Sequence, residues 1–533
     1  MKKSPKGYVA IVLHAHLPYV KHPDTDGFLE GNWLNEAITE TYIPLLDVFN
    51  GLVEDGVEFR ITVSLSPPLM EMLTDPLLQQ RYVDYVNRLI DLCEKEVKRT
   101  VLNPELHSLA LMYRERAYHV REVFENKYNR NLLSGFKRLH DVGAVELITS
   151  AATHGFLPLM DEVAQSVEAQ ISVGVSHFRR HFGFSPFGFW LPECGFYPGV
   201  DSALARHGIR YTFADTHGVL FASPRPKYGV YAPIYCQSGV AVFGRDPESS
   251  KQVWSADEGY PGDFDYRDFY RDIGFDLDYD YICPYLRNGI RGHTGIKYHR
   301  ITGKTDEKAI YNRQAALNKA ALHAGNFMFN RERQLEFLAS LLDRQPIVVA
   351  PYDAELFGHW WFEGPEWLDF LIRKSAYEQD IYRLVTPSDY LTSYSHNQVS
   401  TPTMSSWGFK GYCEVWLNET NDWIYRHLHR ASRQMVELAN RYPKAEGILR
   451  RALNQAAREL LLAQSSDWAF IMKTGTMVDY AIRRTKNHVG RFAELFDQIT
   501  QDRIDPDYLS HLEWKDNIFP EIDYSIYASH MVS

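Results

Sequence analysis

The 533-residue chain predicts an α/β fold that gives way to an all-helical C-terminal domain. Three observations lead there. Short apolar runs bounded by turn residues recur through the first two thirds, amphipathic helical stretches separate them, and strand-like runs stop at about Trp407. The runs are Tyr8–Leu13, Phe59–Leu65, Val145–Thr149, Phe187–Leu191, Ile209–Phe213, Val240–Phe243 and Ile347–Ala350. Continuous apolar strands of this length suit burial on both faces, as in a parallel sheet or barrel wrapped by helices. Between them, Val163–Phe182 repeats apolar residues at three-to-four spacing, and the alternation of strand and helix is that of an α/β domain. Leu69–Asp141 is helical in pattern and too long for a crossover, which predicts a lateral helical insertion over about 69–141. Phe221–Pro233 holds three prolines and a glycine and predicts an ordered loop, of the kind that often covers a site. Beyond Trp407, Asn421–Arg441, Ala445–Gln464 and Thr476–Gln501 predict long helices, with the Ser/Thr-rich stretch Thr392–Ser406 as the expected joint.

Composition narrows the function. Hydrophobic residues at 45% and charged residues at 23% exclude disordered and fibrous classes. A formal charge of −11 with no basic block argues against a nucleic-acid ligand and for a neutral or cationic one. No uninterrupted run reaches the roughly 18 apolar residues of a membrane span. After Met1-Lys2-Lys3, the apolar stretch Tyr8–Leu13 is too short for a signal segment and reads as a first strand. The cysteines Cys93, Cys194, Cys236, Cys283 and Cys413 are odd in number and widely spread, so neither a disulfide framework nor a thiolate zinc site is expected, and a reducing cytoplasm is. Aromatic residues, at 14%, make flat apolar ligand surfaces plausible.

Three segments carry candidate chemistry. In Leu13-His14-Ala15-His16-Leu17-Pro18, strand alternation points His14 and His16 the same way at the C-terminal end of the first strand, where barrels place their chemistry. Satisfied core histidines and a zinc pair are the alternatives. In Trp190-Leu191-Pro192-Glu193-Cys194-Gly195, a buried strand ends in a carboxylate that must be functional or well paired, since an unpartnered one costs several kcal/mol. A helix cap or ion pair is the plainer reading of Glu193, and Cys194 reads as packing. In Tyr352-Asp353-Ala354-Glu355-Leu356-Phe357-Gly358-His359-Trp360-Trp361, a strand again runs into acid among aromatic rings, and alternation leaves open whether Asp353 or Glu355 is the reactive one. Aromatic faces stack on sugar C–H faces while carboxylates accept hydroxyls. Two carboxylates on different strand ends, with no nucleotide or nucleophile-elbow motif, make a glycosidase-type constellation.

These three segments resemble glycoside hydrolase family 57, and within it the glucan branching enzymes. The likeness continues through Glu146–Pro158, Gln252–Asp276, Gly295–Gly303 and the stretch around Asp467-Trp468. The resemblance implies an incomplete (β/α)7 barrel over residues 1–400, with the helical insertion, and a C-terminal helical domain over 405–525 that contributes to the cleft. It implies Glu193 as nucleophile and Asp353 as general acid/base in a retaining double displacement, without metal or other cofactor. His14, His16 and His154 would hold the donor sugar. Trp33, Trp360, Trp407, Trp416 and Trp468 would line glucan subsites, with ordinary helix packing the alternative for Trp416 and Trp468. Asp467 joins the substrate-binding set, and Arg267 would hold a hydroxyl or orient a carboxylate. A loop at Ser223–Pro233, bearing Tyr228 and Tyr231, is the expected lid that keeps water out. The implied substrate is an α-1,4-glucan, as donor and acceptor, for a monomer or weak oligomer. Same-fold alternatives are an α-amylase and a 4-α-glucanotransferase; more distant ones are a zinc-dependent polysaccharide deacetylase and a carbohydrate-binding protein without activity.

Overall fold

The computed structural model of the protein describes residues 4–25, 30–255 and 258–529. Met1-Lys2-Lys3 and the terminal His530–Ser533 lie outside the described residues. Among the described residues there are nine strands: β1 (Gly7–Ala15), β2 (Ile61–Leu65), β3 (Val145–Ser150), β4 (Gly188–Trp190), β5 (Tyr211–Ala214), β6 (Ile234–Tyr235), β7 (Ala241–Gly244), β8 (Ile347–Asp353) and β9 (Tyr382–Leu384). Their order is β6-β7-β5-β4-β3-β2-β1-β8, with β9 beside the start of β1. All pairings are parallel except β6 with β7. The seven apolar runs read from sequence are the seven strands β1 to β5, β7 and β8. Two short additions, β6 and β9, were not anticipated.

The sheet curls toward closure without completing it. Where β7 and β8 come together there is no ladder. Asp246 N donates to Val349 O and Ile347 N donates to Tyr231 O, each at 2.9 Å, and these two bonds span the seam. This is the incomplete seven-stranded barrel. Burial on both faces explains the strand composition, since Val9 to Leu13 are all inaccessible to solvent.

The stretch between β2 and β3 contains helices Pro67–Thr74, Pro76–Arg99, Pro104–Glu122 and Leu132–Asp141. Two of them start where a carboxylate or amide cap precedes a proline in the first turn. Asp75 accepts from Leu77 N and Leu78 N, and Asn103 accepts from Leu106 N. Helix Ala164–Phe182 runs back from the end of β3 toward the start of β4 and stops at Gly183, whose φ of +81° admits glycine readily.

The C-terminal helices Trp423–Arg441, Gly447–Ala463, Ser466–Thr474, Val478–Thr500 and Pro506–Lys515 pack into the same hydrophobic core as β1, β2 and the helices after β2. The expected joint, Thr392–Ser406, is stitched onto the barrel rather than slack. Phe196 N donates to Ser405 O and Ser405 N to Phe196 O, at 2.9 and 3.0 Å.

One close approach tests this packing. A Cβ at Gly174 would stand 2.3 Å from the carbonyl oxygen of Ser150, backbone against which helix Ala164–Phe182 rests. Gly174→Ala is expected to lower unfolding stability by about 1–3 kcal/mol through overpacking, seen as a shift of the denaturant midpoint; an unchanged midpoint contradicts the tight contact.

Candidate active site

Strand register brings the chemistry to one level. His14 on β1 is paired with Ser64 on β2 and with Asp353 on β8, and Ser150 on β3 is paired with Trp190 on β4. In-register residues of parallel strands share a face, so His14, Ser64 and Asp353 meet at the C-terminal rim. Two turns complete it: Thr153-His154 after β3 and Pro192-Glu193-Cys194 after β4. Helix Ser466–Thr474 supplies Ser466 and Asp467 from the C-terminal domain.

Glu193 sits at φ +62° and Cys194 at +51°, a left-handed pair that costs about 1–3 kcal/mol per residue outside glycine. The turn is held by Cys194 N to Leu191 O, Gly195 N to Pro192 O and Trp407 N to Glu193 O, each 2.9 Å. The geometry aims the carboxylate inward. Trp407 Nε1 donates to Oε2 at 2.7 Å and Ser466 Oγ to Oε1 at 2.9 Å. Burial pushes the Glu193 carboxyl up to about 7, with Asp467 adding to the rise and the Trp407 and Ser466 hydrogen bonds and His16 opposing it.

The proton positions of the histidines follow from this bond. Because Ser466 gives its hydroxyl hydrogen to Glu193, its oxygen accepts from His154 Nδ1–H at 2.9 Å. His154 Nε2 is then a lone pair and accepts from His14 Nε2–H at 2.9 Å, and His14 Nδ1 accepts from Ser64 Oγ at 3.1 Å. One proton per ring suffices. Burial holds both rings neutral, well below the usual histidine range. His154 lies at φ +56°, so two members of this chain depend on left-handed backbone. His16 differs: burial is the largest single effect and opposes its cation, but Asp467, in contact with Nε2 at 3.1 Å, together with the charges of Glu193 and Glu355 raises its pKa.

Asp353 and Glu355 differ in their partners. Glu355 Oε1 accepts from Tyr42 Oη at 2.6 Å and from His16 N at 3.1 Å, so it is a bracket for β1. No described residue hydrogen-bonds the Asp353 carboxylate. Burial and the charges of Glu355 and Glu193 drive its pKa well above the usual range, against Arg245.

The aromatic assignments divide. Trp407 contacts Glu193 directly, and its ring lies 5.2 Å from that of Trp190 and 6.1 Å from that of the half-exposed Trp254. Trp360 is 55% exposed and stacks at 4.5 Å on Phe269, a free face at the rim. Trp33 is half-buried with its ring edge-on to Tyr480. Trp416 and Trp468 are core residues, which corrects their expected place in subsites: Trp416 stacks on Phe156, and Trp468 gives its Nε1–H to Leu462 O. Arg267 is likewise sealed from any sugar. Its guanidinium bonds Glu40 at 3.0 Å and lies 3.8 Å over the ring of Phe362, so it orients a carboxylate that in turn holds His359 Nδ1.

The loop expected as a lid lies elsewhere. Tyr228 Oη donates to Asp343, ahead of β8, and Arg344 packs over its ring. The seven residues of β8, about 20 Å of strand, separate that point from Asp353. Tyr231 is fixed in the β7–β8 seam through its carbonyl. Neither tyrosine covers the cleft. Residues not anticipated are Ser64, Ser66, Tyr42, Trp254 and Ser466; only Ser466 had a pointer, the adjacent Asp467-Trp468. As for metal, His16, His154 and Asp467 bring one ligand atom each within 4.8 Å of one another, whereas His14 is not of the set. Both nitrogens of His154 are already engaged within the protein.

Comparison with known proteins places this arrangement. Residues 10–405 match the model described as glycosyl hydrolase family 57, and residues 427–527 match that of the C-terminal region of 1,4-alpha-glucan branching enzyme. A 1,4-alpha-glucan branching enzyme of Thermococcus kodakarensis is 34% identical over 98% of this chain and 79% of its own. Its family 57 crystal structure with glucose superposes with a TM-score of 0.88 at 33% identity, covering 98% of this chain and 97% of that one. The structure of the alpha-amylase AmyC from Thermotoga maritima superposes with a TM-score of 0.92 at 48% identity, covering 98% and 99%. A chain whose sheet, rim carboxylates and helical C-terminal region all fall within these matches belongs to glycoside hydrolase family 57.

Proposed function

We propose that the protein is a 1,4-α-glucan branching enzyme working by a retaining double displacement, with Glu193 as nucleophile and Asp353 as general acid/base. A Glu193 oxygen attacks C1 of the donor sugar while Asp353 gives its proton to the departing glycosidic oxygen. The covalent glycosyl–Glu193 ester is then attacked at C1 by the 6-hydroxyl of a second glucan segment. That hydroxyl's proton returns to Asp353, and the Glu193 carboxylate is released as the α-1,6 bond forms. His14, His16, His154 and Asp467 line the donor-sugar side, and Trp407 and Trp360 offer ring faces. We assign the reaction to glycogen-like polymer synthesis in the cytoplasm. Among the described residues no helix is long and apolar enough to cross a membrane.

The observation that carries the reading is the unequal treatment of the two carboxylates. Glu193 has two donors that favour its anion, whereas Asp353 has none and stands beside two like charges. Environments that push two carboxyl groups apart in this way mark the nucleophile and the acid. The branching reading in particular rests on Ser466 and Asp467, which come from the region matched by the branching-enzyme C-terminal model.

Hydrolysis is the second reading, favoured by the 48% identity to an alpha-amylase and by the position of Tyr228 away from the cleft. Incubation with amylose decides between them, with α-1,6 linkages counted by proton NMR beside new reducing ends. Branches well in excess of reducing ends are expected; reducing ends without branches make the protein an amylase.

Glu193→Gln is expected to abolish turnover while sparing glucan binding, and Asp353→Asn to cut kcat by about 10²–10⁴-fold. Full residual activity in either variant removes its assigned role. Glu193 must be ionised and Asp353 protonated, so activity rises with pH through about 7 and falls at higher pH as Asp353 loses its proton. Ser466→Ala removes a hydrogen bond to the Glu193 anion and is expected to move the acidic limb of the kcat/KM profile to higher pH; a stationary limb assigns that limb to another group.

A further inference from the structure

Away from the cleft, His177 and His181 stand one turn apart on helix Ala164–Phe182, and Glu71 faces them from helix Pro67–Thr74. His177 Nε2 lies 3.1 Å from His181 Nε2 and 3.2 Å from Glu71 Oε2, and His181 Nε2 lies 4.0 Å from the same oxygen. Three lone-pair atoms therefore surround one point. Ligand atoms about 2.0–2.1 Å from a tetrahedral zinc ion are about 3.4 Å from one another, and the three edges here bracket that value. One shared proton can bridge one pair of these atoms at a time. A divalent ion satisfies all three at once.

The surroundings leave room for that ion. His177 is buried, while the Glu71 and His181 side chains keep 16% and 14% of their surface exposed, which gives a path for entry and a side for a water ligand. The basic side chains that act on Glu71 are committed elsewhere. Lys21 Nζ bonds Asp75 and Asn517, Arg180 approaches Glu521, and Arg458 bonds the carbonyls of Ile518 and Phe519. A comparable trio at Glu459, His488 and Asp516 lacks this freedom, because Arg491 bonds Asp516 and approaches Glu459, a guanidinium in the place of a metal.

We propose that Glu71, His177 and His181 form a divalent transition-metal site of the zinc class, with a fourth position open to water. Two imidazoles and a carboxylate suit zinc, and the closely similar cobalt(II) serves as its coloured probe. The ion would clasp helix Pro67–Thr74 to helix Ala164–Phe182 beside Phe519, whose ring meets that of His177 edge-on at 5.1 Å. Helix Pro67–Thr74 starts directly after Ser66, whose hydroxyl bonds His16 Nδ1 at 2.9 Å. The clasp therefore fastens an element that touches the cleft while lying outside it.

The test uses the full chain without a histidine tag, stripped by chelator and exchanged into metal-free buffer. Zinc is titrated by equilibrium dialysis with metal analysis, and cobalt(II) binding is followed by visible absorption. One zinc per chain is expected, with the intense d–d bands of four-coordinate cobalt and a zinc-dependent rise in Tm. Glu71→Gln and His181→Gln are each expected to weaken zinc binding by at least about tenfold and to lose the Tm rise, their zinc-free far-UV circular dichroism matching that of the parent. His16→Asn is expected to leave zinc binding unchanged. The proposal is overturned by binding no tighter than about 100 μM, by a weak six-coordinate cobalt spectrum, by undiminished affinity in both ligand variants, or by loss of the zinc in His16→Asn. The cobalt spectrum of the parent chain decides the matter even if a variant fails to fold.

Discussion

Keeping an ionised carboxylate out of water costs several kcal/mol unless donors replace its hydration, and both Glu193 side-chain donors come from far along the chain. Trp407 and Ser466 both follow the barrel in sequence, and Ser466 is oriented in turn by His154, His14 and Ser64. The barrel alone would present a strained turn and a carboxylate without its two side-chain donors. This explains why the C-terminal helices share the barrel's core instead of forming a separable unit. It also explains the bond from Thr153 Oγ1 to Leu461 O, which fastens the His154 turn to the helix preceding Ser466.

The same cleft shows how neighbouring acids acquire different environments. Asp353 and Glu355 are two residues apart, yet Glu355 spends its oxygen on Tyr42 and the backbone of His16 and thereby fixes where β1 ends. Asp353 stays free of such bonds and feels both other carboxylates. Relieving Asp353 with a donor would tie the acid down and favour its anion. Its isolation is the property that suits it to hold a proton.

Much of the fold was legible because burial on both faces writes itself into a strand as an unbroken apolar run, as in Tyr8–Leu13 and Ile347–Ala350. The two-residue β6 and three-residue β9 are too short to carry any such pattern. In the site, Glu193 and Asp353 were visible as acids ending buried strands, and His14 and His16 as an alternating pair. Their supports were not. A serine such as Ser466 has no periodic signature, and its role depends on a contact spanning 273 positions. Trp416 and Trp468 illustrate the reverse problem: residue type suggests a sugar platform, but only packing reveals that both rings face inward. The loop at Phe221–Pro233 was legible as irregular, while which end of the strands it occupies is decided by Lys227 and Tyr228 reaching Asp343.

The long reach between Glu193 and Ser466 also bears on synthesis. A ribosome makes the chain in order, at about 5–20 residues per second, so the Glu193 turn emerges well before the Ser466 hydroxyl that will support it. During that interval the barrel is a scaffold whose rim carboxylate lacks a donor, and a chain released early remains one. A molecule whose Glu193 carboxylate holds both side-chain donors has thus been translated at least through Ser466 and has folded its C-terminal helices back onto its first strands.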